Sequence, residues 1–150
     1  MLKVVLDTNI FVSSLLVKVG LPAQILDAWR KRQFILVTSP SIIAEIHATL
    51  SYTHIRRKYE VSKEEIDELI TLLEQDSLLV PGNTKVINAI AKDPADEKVL
   101  VCATEAKVDF IVSGDQHLLD LGIYQGIPIL TARQFIERLH SSHNPNVPPT

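Results

Sequence analysis

Val4-Val5-Leu6-Asp7-Thr8-Asn9 is a short, β-branched apolar run that stops on three polar residues. Phe110-Ile111-Val112-Ser113-Gly114-Asp115 repeats that form far along the chain. Branched and aromatic side chains suit a pleated, extended backbone, so both read as strands. Phe34 to Thr38, Leu78 to Val80 and Ile127 to Leu130 are further strands of the same kind. The stretches between them carry helical signals. Ile10 to Val19 reads as a short helix, and Pro22 opens a second, with Ile25, Leu26 and Trp29 on one face. Ser39-Pro40 supplies a capping hydroxyl and a proline at the first helical position, for a helix to about Tyr52. Ser62 with Glu65 three residues on is a capping box, and Ile66, Leu69, Ile70 and Leu73 repeat at helical spacing behind it. Asp93-Pro94 opens a helix through Lys107, and Thr131 to His140 forms the last. Strands alternating with helices predict an α/β fold with a mostly parallel sheet. One domain over residues 1–140 is expected, followed by a frayed, proline-rich tail at 141–150.

Composition narrows the function. The net charge of −3 and pI of about 5.9 mean that a nucleic-acid partner needs a local basic patch. Aromatic residues are 5% of the chain, too few for an extended base-stacking platform. The single cysteine, Cys102, is expected in the core beside Val99 and Ala103, and forms no intrachain disulfide. No apolar run approaches the roughly 20 residues that span a bilayer, and no signal peptide is evident, so a cytoplasmic protein is expected. Only five glycines are present and none forms a phosphate-cradling loop. His47, His54, His117, His140 and His143 show no ligand spacing.

In open parallel sheets ligands bind beyond the carboxyl ends of the strands. Asp7 and Asp115 stand at two such ends. Glu45 lies six residues into the helix after the second strand, and Asp96 lies in the first turn of the helix before the fourth. If the four meet, two like charges ~5 Å apart repel by roughly 3 kcal/mol at an effective dielectric of about 20, so a cation is needed to hold them ionised. Hard oxygen ligands suit Mg²⁺ or Mn²⁺. Such a site supports hydrolysis of a phosphodiester. Asn9 and Ser113 are candidates for orienting a carboxylate or the attacking water.

Each acid also has a local explanation. Asp7 can cap the Ile10 helix, and Asp115 the helix from Gln116 to Leu121. Asp93 and Asp96 suit a helix start and its dipole, and Glu45 can be a solvated edge residue. Asn9 and Ser113 also suit strand-to-helix turns. The basic run at Arg56, Arg57 and Lys58 is a candidate for RNA phosphate contact or a plain solvated helix end, as is Arg30-Lys31-Arg32.

From about Leu2 to Leu139 the chain resembles the PIN-domain family, particularly small prokaryotic toxins of toxin–antitoxin pairs. The resemblance rests on an ordered set: Val4 to Asn9, Ser39-Pro40 followed by Glu45, Asp93 to Leu100, and Asp109 to Asp115. It implies a three-layer, Rossmann-like sandwich around a central parallel five-stranded sheet. It also implies a Mg²⁺- or Mn²⁺-dependent ribonuclease, often a homodimer. Asp7, Asp96 and Asp115 would then hold the metal, with Glu45 completing its shell or orienting water, and Asp93 in support. RNA would be the substrate and an antitoxin protein a possible partner. A PIN-like module that binds RNA or protein without cleaving is the alternative. A phosphatase on a similar sheet is a third reading, weakened by asparagine at position 9, where such enzymes carry a second aspartate.

Overall fold

The computed structural model of the chain describes residues 1–83 and 94–143. The opening apolar run forms strand β1 (Lys3–Leu6), and Val4, Val5 and Leu6 are all buried. Successive side chains of a strand point to opposite faces, so three consecutive buried residues must be covered on both sides. Helices supply that cover. In chain order the elements after β1 are α1 (Thr8–Leu16), α2 (Leu21–Arg30), β2 (Ile35–Thr38), α3 (Pro40–Leu50), α4 (Thr53–Tyr59), α5 (Lys63–Asp76) and β3 (Leu78–Leu79). Then come α6 (Pro94–Ala106), β4 (Phe110–Val112), α7 (Gln116–Leu121), β5 (Ile123–Tyr124), β6 (Ile127–Leu130) and α8 (Ala132–His143).

The sheet order is β3-β2-β1-β4-β6-β5. β1 is central, paired in parallel with β2 (Val5 opposite Val37) and with β4 (Val5 opposite Ile111). β3 and β6 extend the parallel sheet on either side. The five expected strands are therefore present, but the sheet has six. β5 runs antiparallel to β6 across a two-residue turn at Gln125 and Gly126. Both turn residues have positive φ, 49° and 79°, the geometry a tight hairpin needs. Two residues are too short a run to announce a strand by periodicity.

Local signals placed most helix starts well. Ser39 Oγ accepts from the Ile42 N–H, and Ser62 Oγ accepts from the Glu65 N–H at 3.1 Å. Thr131 and Gln134 form a reciprocal box at the start of α8. Three boundaries differ from expectation. α1 runs from Thr8 to Leu16 rather than from Ile10 to Val19, and α2 departs at 102° to it. The helix expected to reach Tyr52 stops at Leu50, and α4 follows as a separate helix with no buried residue. The final helix continues to His143, so the expected tail boundary after residue 140 falls inside α8. The remainder of that tail, residues 144–150, and Asp93 lie outside the described residues.

Cys102 is fully buried in the core with Val99 and Ala103. Among the described residues no single helix is long and apolar enough to cross a membrane.

Candidate functional site

Asp7 is the first residue past β1. It occupies the position that caps α1, yet its side chain makes no capping hydrogen bond. Its backbone N–H stays in the sheet, donating to the Val112 carbonyl of β4. The carboxylate is only 3% exposed and accepts a 2.7 Å hydrogen bond from the Ser113 hydroxyl, just beyond β4. The same Ser113 oxygen accepts from the Asp115 backbone N–H at 2.9 Å. One hydroxyl thus ties the ends of β1 and β4 together. Parallel pairing makes this possible, because Leu6 opposite Val112 brings the next residues of both strands to one rim.

Burial pushes the Asp7 carboxyl above its ordinary value of 3.8. The Ser113 hydroxyl and the Thr8 backbone pull the other way, while the charges of Asp115 and Glu45 raise it further. Glu45 reaches the rim from α3, where Thr8 Oγ1 donates to its Oε2 at 3.1 Å. Lys98 of α6 stands 3.8 Å from that same oxygen, both side chains partly exposed.

Asp115 does what a cap should: its Oδ1 accepts the His117 N–H at 2.7 Å and starts α7. That bond occupies one carboxylate oxygen. Oδ2 has no hydrogen bond among the described residues. Asp96, in the first turn of α6, is buried at 3% exposure. One ligand atom each from Asp96, Asp115 and His117 lie within 4.8 Å of one another, close enough to converge on a single ion. Asp7 and Glu45 are not part of that tight group.

The four acids read from sequence therefore stand in two linked sets. Asp7 feels the charges of both Glu45 and Asp115 and is tied to Asp115 through Ser113, and Asp115 is adjacent to Asp96. Buried, mutually repelling carboxylates fit a divalent cation, which would relieve both the burial and the repulsion. Ser113 is in direct contact with the Asp7 carboxylate. Asn9 is exposed in the first turn of α1. Arg56, Arg57 and Lys58 are exposed on α4, which follows α3 directly.

Three residues at the rim carry no clear sequence signal. Thr8 and Lys98 both meet Glu45, and His117 is indistinguishable by spacing from the other histidines. Its two-residue offset from Asp115 is the signal that could have singled it out. Thr38 Oγ1, buried at the carboxyl end of β2, has no hydrogen-bond partner among the described residues. A separate cleft of about 670 Å³ lies at the far end of α1, lined by Lys18, Arg30 and Glu65 among others, and contains none of these acids.

Comparison with known proteins agrees with this geometry. A family model described as PIN domain matches residues 3–117. The chain is also 32% identical over 146 residues to an uncharacterized protein of Methanocaldococcus jannaschii, covering 91% of this chain and 90% of that one. PIN domains are in general metal-dependent nucleases, and an acidic group compatible with a divalent ion is present here. With both the fold and the acid-lined rim in place, the chain belongs to the PIN-domain family.

Proposed function

We propose that this chain is a metal-dependent endoribonuclease that hydrolyses RNA phosphodiester bonds at the rim beyond β1 and β4. The observation that carries the proposal is the linked acid set: buried Asp7 held by Ser113, which also bonds Asp115, and Asp115 within ligand distance of Asp96. Asp96 and Asp115 would hold Mg²⁺ or Mn²⁺, with Asp7 and Glu45 completing the polar surround. When bound, such an ion supplies the charge that activates water and stabilises the displaced phosphodiester oxygens.

The chain's own residues divide the remaining work. Ser113 fixes the Asp7 carboxylate in one orientation by its 2.7 Å bond. Thr8 positions Glu45 to orient or accept a proton from the attacking water. Lys98 is a cation at the rim, placed to meet a substrate phosphate. Arg56, Arg57 and Lys58 on exposed α4 are proposed to track the RNA backbone, beside a stacked Tyr52–His54 ring pair.

The test is incubation of single-stranded RNAs with wild-type protein, with Mn²⁺ or with chelator, alongside Asp7→Asn and Asp96→Asn. Cleavage that needs the metal and is lost in both variants supports the proposal. Metal-bound protein that retains RNA but cleaves none of a broad panel would instead favour a non-catalytic binding module. A toxin role with an antitoxin partner, a homodimer and a cytoplasmic location accompany the family resemblance. Growth arrest on expression, relieved by the product of a neighbouring gene, tests the toxin role, and sedimentation equilibrium tests the dimer.

A further inference from the structure

We infer that His117 is a direct nitrogen ligand of the divalent ion, and that it biases this site toward Mn²⁺ or a later transition ion over Mg²⁺. The inference rests on the metal-dependent reading above. Its basis is geometric. One ring nitrogen of His117 lies within 4.8 Å of a carboxylate oxygen of both Asp96 and Asp115, and those two oxygens lie within 4.8 Å of each other. Ligands at about 2.1 Å from one ion stand up to roughly 4.2 Å apart, so modest side-chain rotation closes the set. The backbone helps: the His117 N–H donates to Asp115 Oδ1, which fixes the start of α7 and roots the ring beside the acid. The ring itself is 57% exposed, with Nδ1 3.8 Å from Asp115 Oδ1, and the neighbouring Leu118 anchors α7 in the core. Packing therefore leaves His117 free to swing toward the ion. A Mg²⁺ ion prefers oxygen ligands, whereas imidazole suits borderline transition ions. Replacing one carboxylate or water position by imidazole favours Mn²⁺ relative to Mg²⁺.

The experiment uses the full chain, stripped with chelator and loaded with one equivalent of Mn²⁺. Pulsed electron paramagnetic resonance should show the ¹⁴N modulation of a directly bound imidazole in wild type. His117→Gln, which keeps the backbone cap, should lose that modulation. Calorimetry should show its Mn²⁺ affinity lowered by about tenfold or more, with Mg²⁺ affinity unchanged. If wild type binds Mn²⁺ and Asp115→Asn weakens it, yet no ¹⁴N modulation appears, His117 is not a ligand and only this inference falls. Modulation that persists in His117→Gln overturns it equally. If wild type binds neither Mn²⁺ nor Mg²⁺, the metal-dependent reading itself fails.

Discussion

Asp7→Asn should make the protein more stable while removing its proposed activity. Asp7 is 3% exposed, and burial is the largest influence on its carboxyl. Placing an ionised carboxylate there costs several kcal/mol even after relaxation, about 1.5–3 of which the Ser113 hydroxyl recovers. The charges of Asp115 and Glu45 add to the cost. Asparagine has nearly the same shape, its amide oxygen still accepts from Ser113, and its amide nitrogen can donate toward the other acids. The net gain in metal-free buffer is expected to be about 1–2 kcal/mol near neutral pH, or a rise in Tm of about 2–8 °C.

The pH dependence follows from the direction of the shift. The folded-state carboxyl lies above 3.8, so between that value and its raised one the folded protein binds more protons than the unfolded chain. Wild-type stability therefore falls as pH rises through that window, and the advantage of asparagine grows with it. The advantage should shrink on acidification and vanish below 3.8, where Asp7 is protonated in both states. A divalent ion should reverse the order. An ion at about 100 times its Kd stabilises the native wild type by ~2.7 kcal/mol, more than the variant's gain, and stabilises the variant much less. Urea unfolding across acid to neutral pH, with chelator and with Mn²⁺, measures all three effects. A variant less stable than wild type in chelator at neutral pH would refute the reasoning, because the Ser113 bond would then outweigh the burial of charge.

Other perturbations test neighbouring features. Ser113→Ala removes both the buried bond to Asp7 and the acceptor for the Asp115 N–H, and should destabilise the fold by about 2–4 kcal/mol in urea melts at neutral pH. Thr38→Val deletes a buried hydroxyl with no partner among the described residues, and should be neutral or stabilising by up to about 1 kcal/mol; a larger loss in the same melts would reveal a bond it makes. Cys102 is fully buried and its thiol is pushed up to about 12 by burial and by the Glu105 carboxylate. It should resist a thiol-reactive dye in the native protein and react at once in denaturant, so rapid native labelling would contradict its placement.

Asp7 and Asp115 illustrate where sequence reasoning reaches its limit. Both were legible as acids ending apolar runs, and both had capping as an alternative. The structure separates them: the Asp7 side chain does not cap, whereas that of Asp115 does and still stands beside Asp96. No local pattern distinguishes these outcomes, because the partner of Asp7 is Ser113, which sequence places 106 residues away. His117, Thr8 and Lys98 were illegible for the same reason. Their placement at the rim depends on which helix end packs against which strand.

The sequence by itself determined the alternation of strands and helices, the Ser39, Ser62 and Thr131 helix starts, and the order of the acids along the chain. Those features depend on side chains within a few residues of one another, where propensity and capping act. Only the tertiary structure decided that β1 lies between β2 and β4. That parallel arrangement carries Asp7 and Ser113 to the same rim, where burial and hydrogen bonding, rather than local conformation, set what each acid can do.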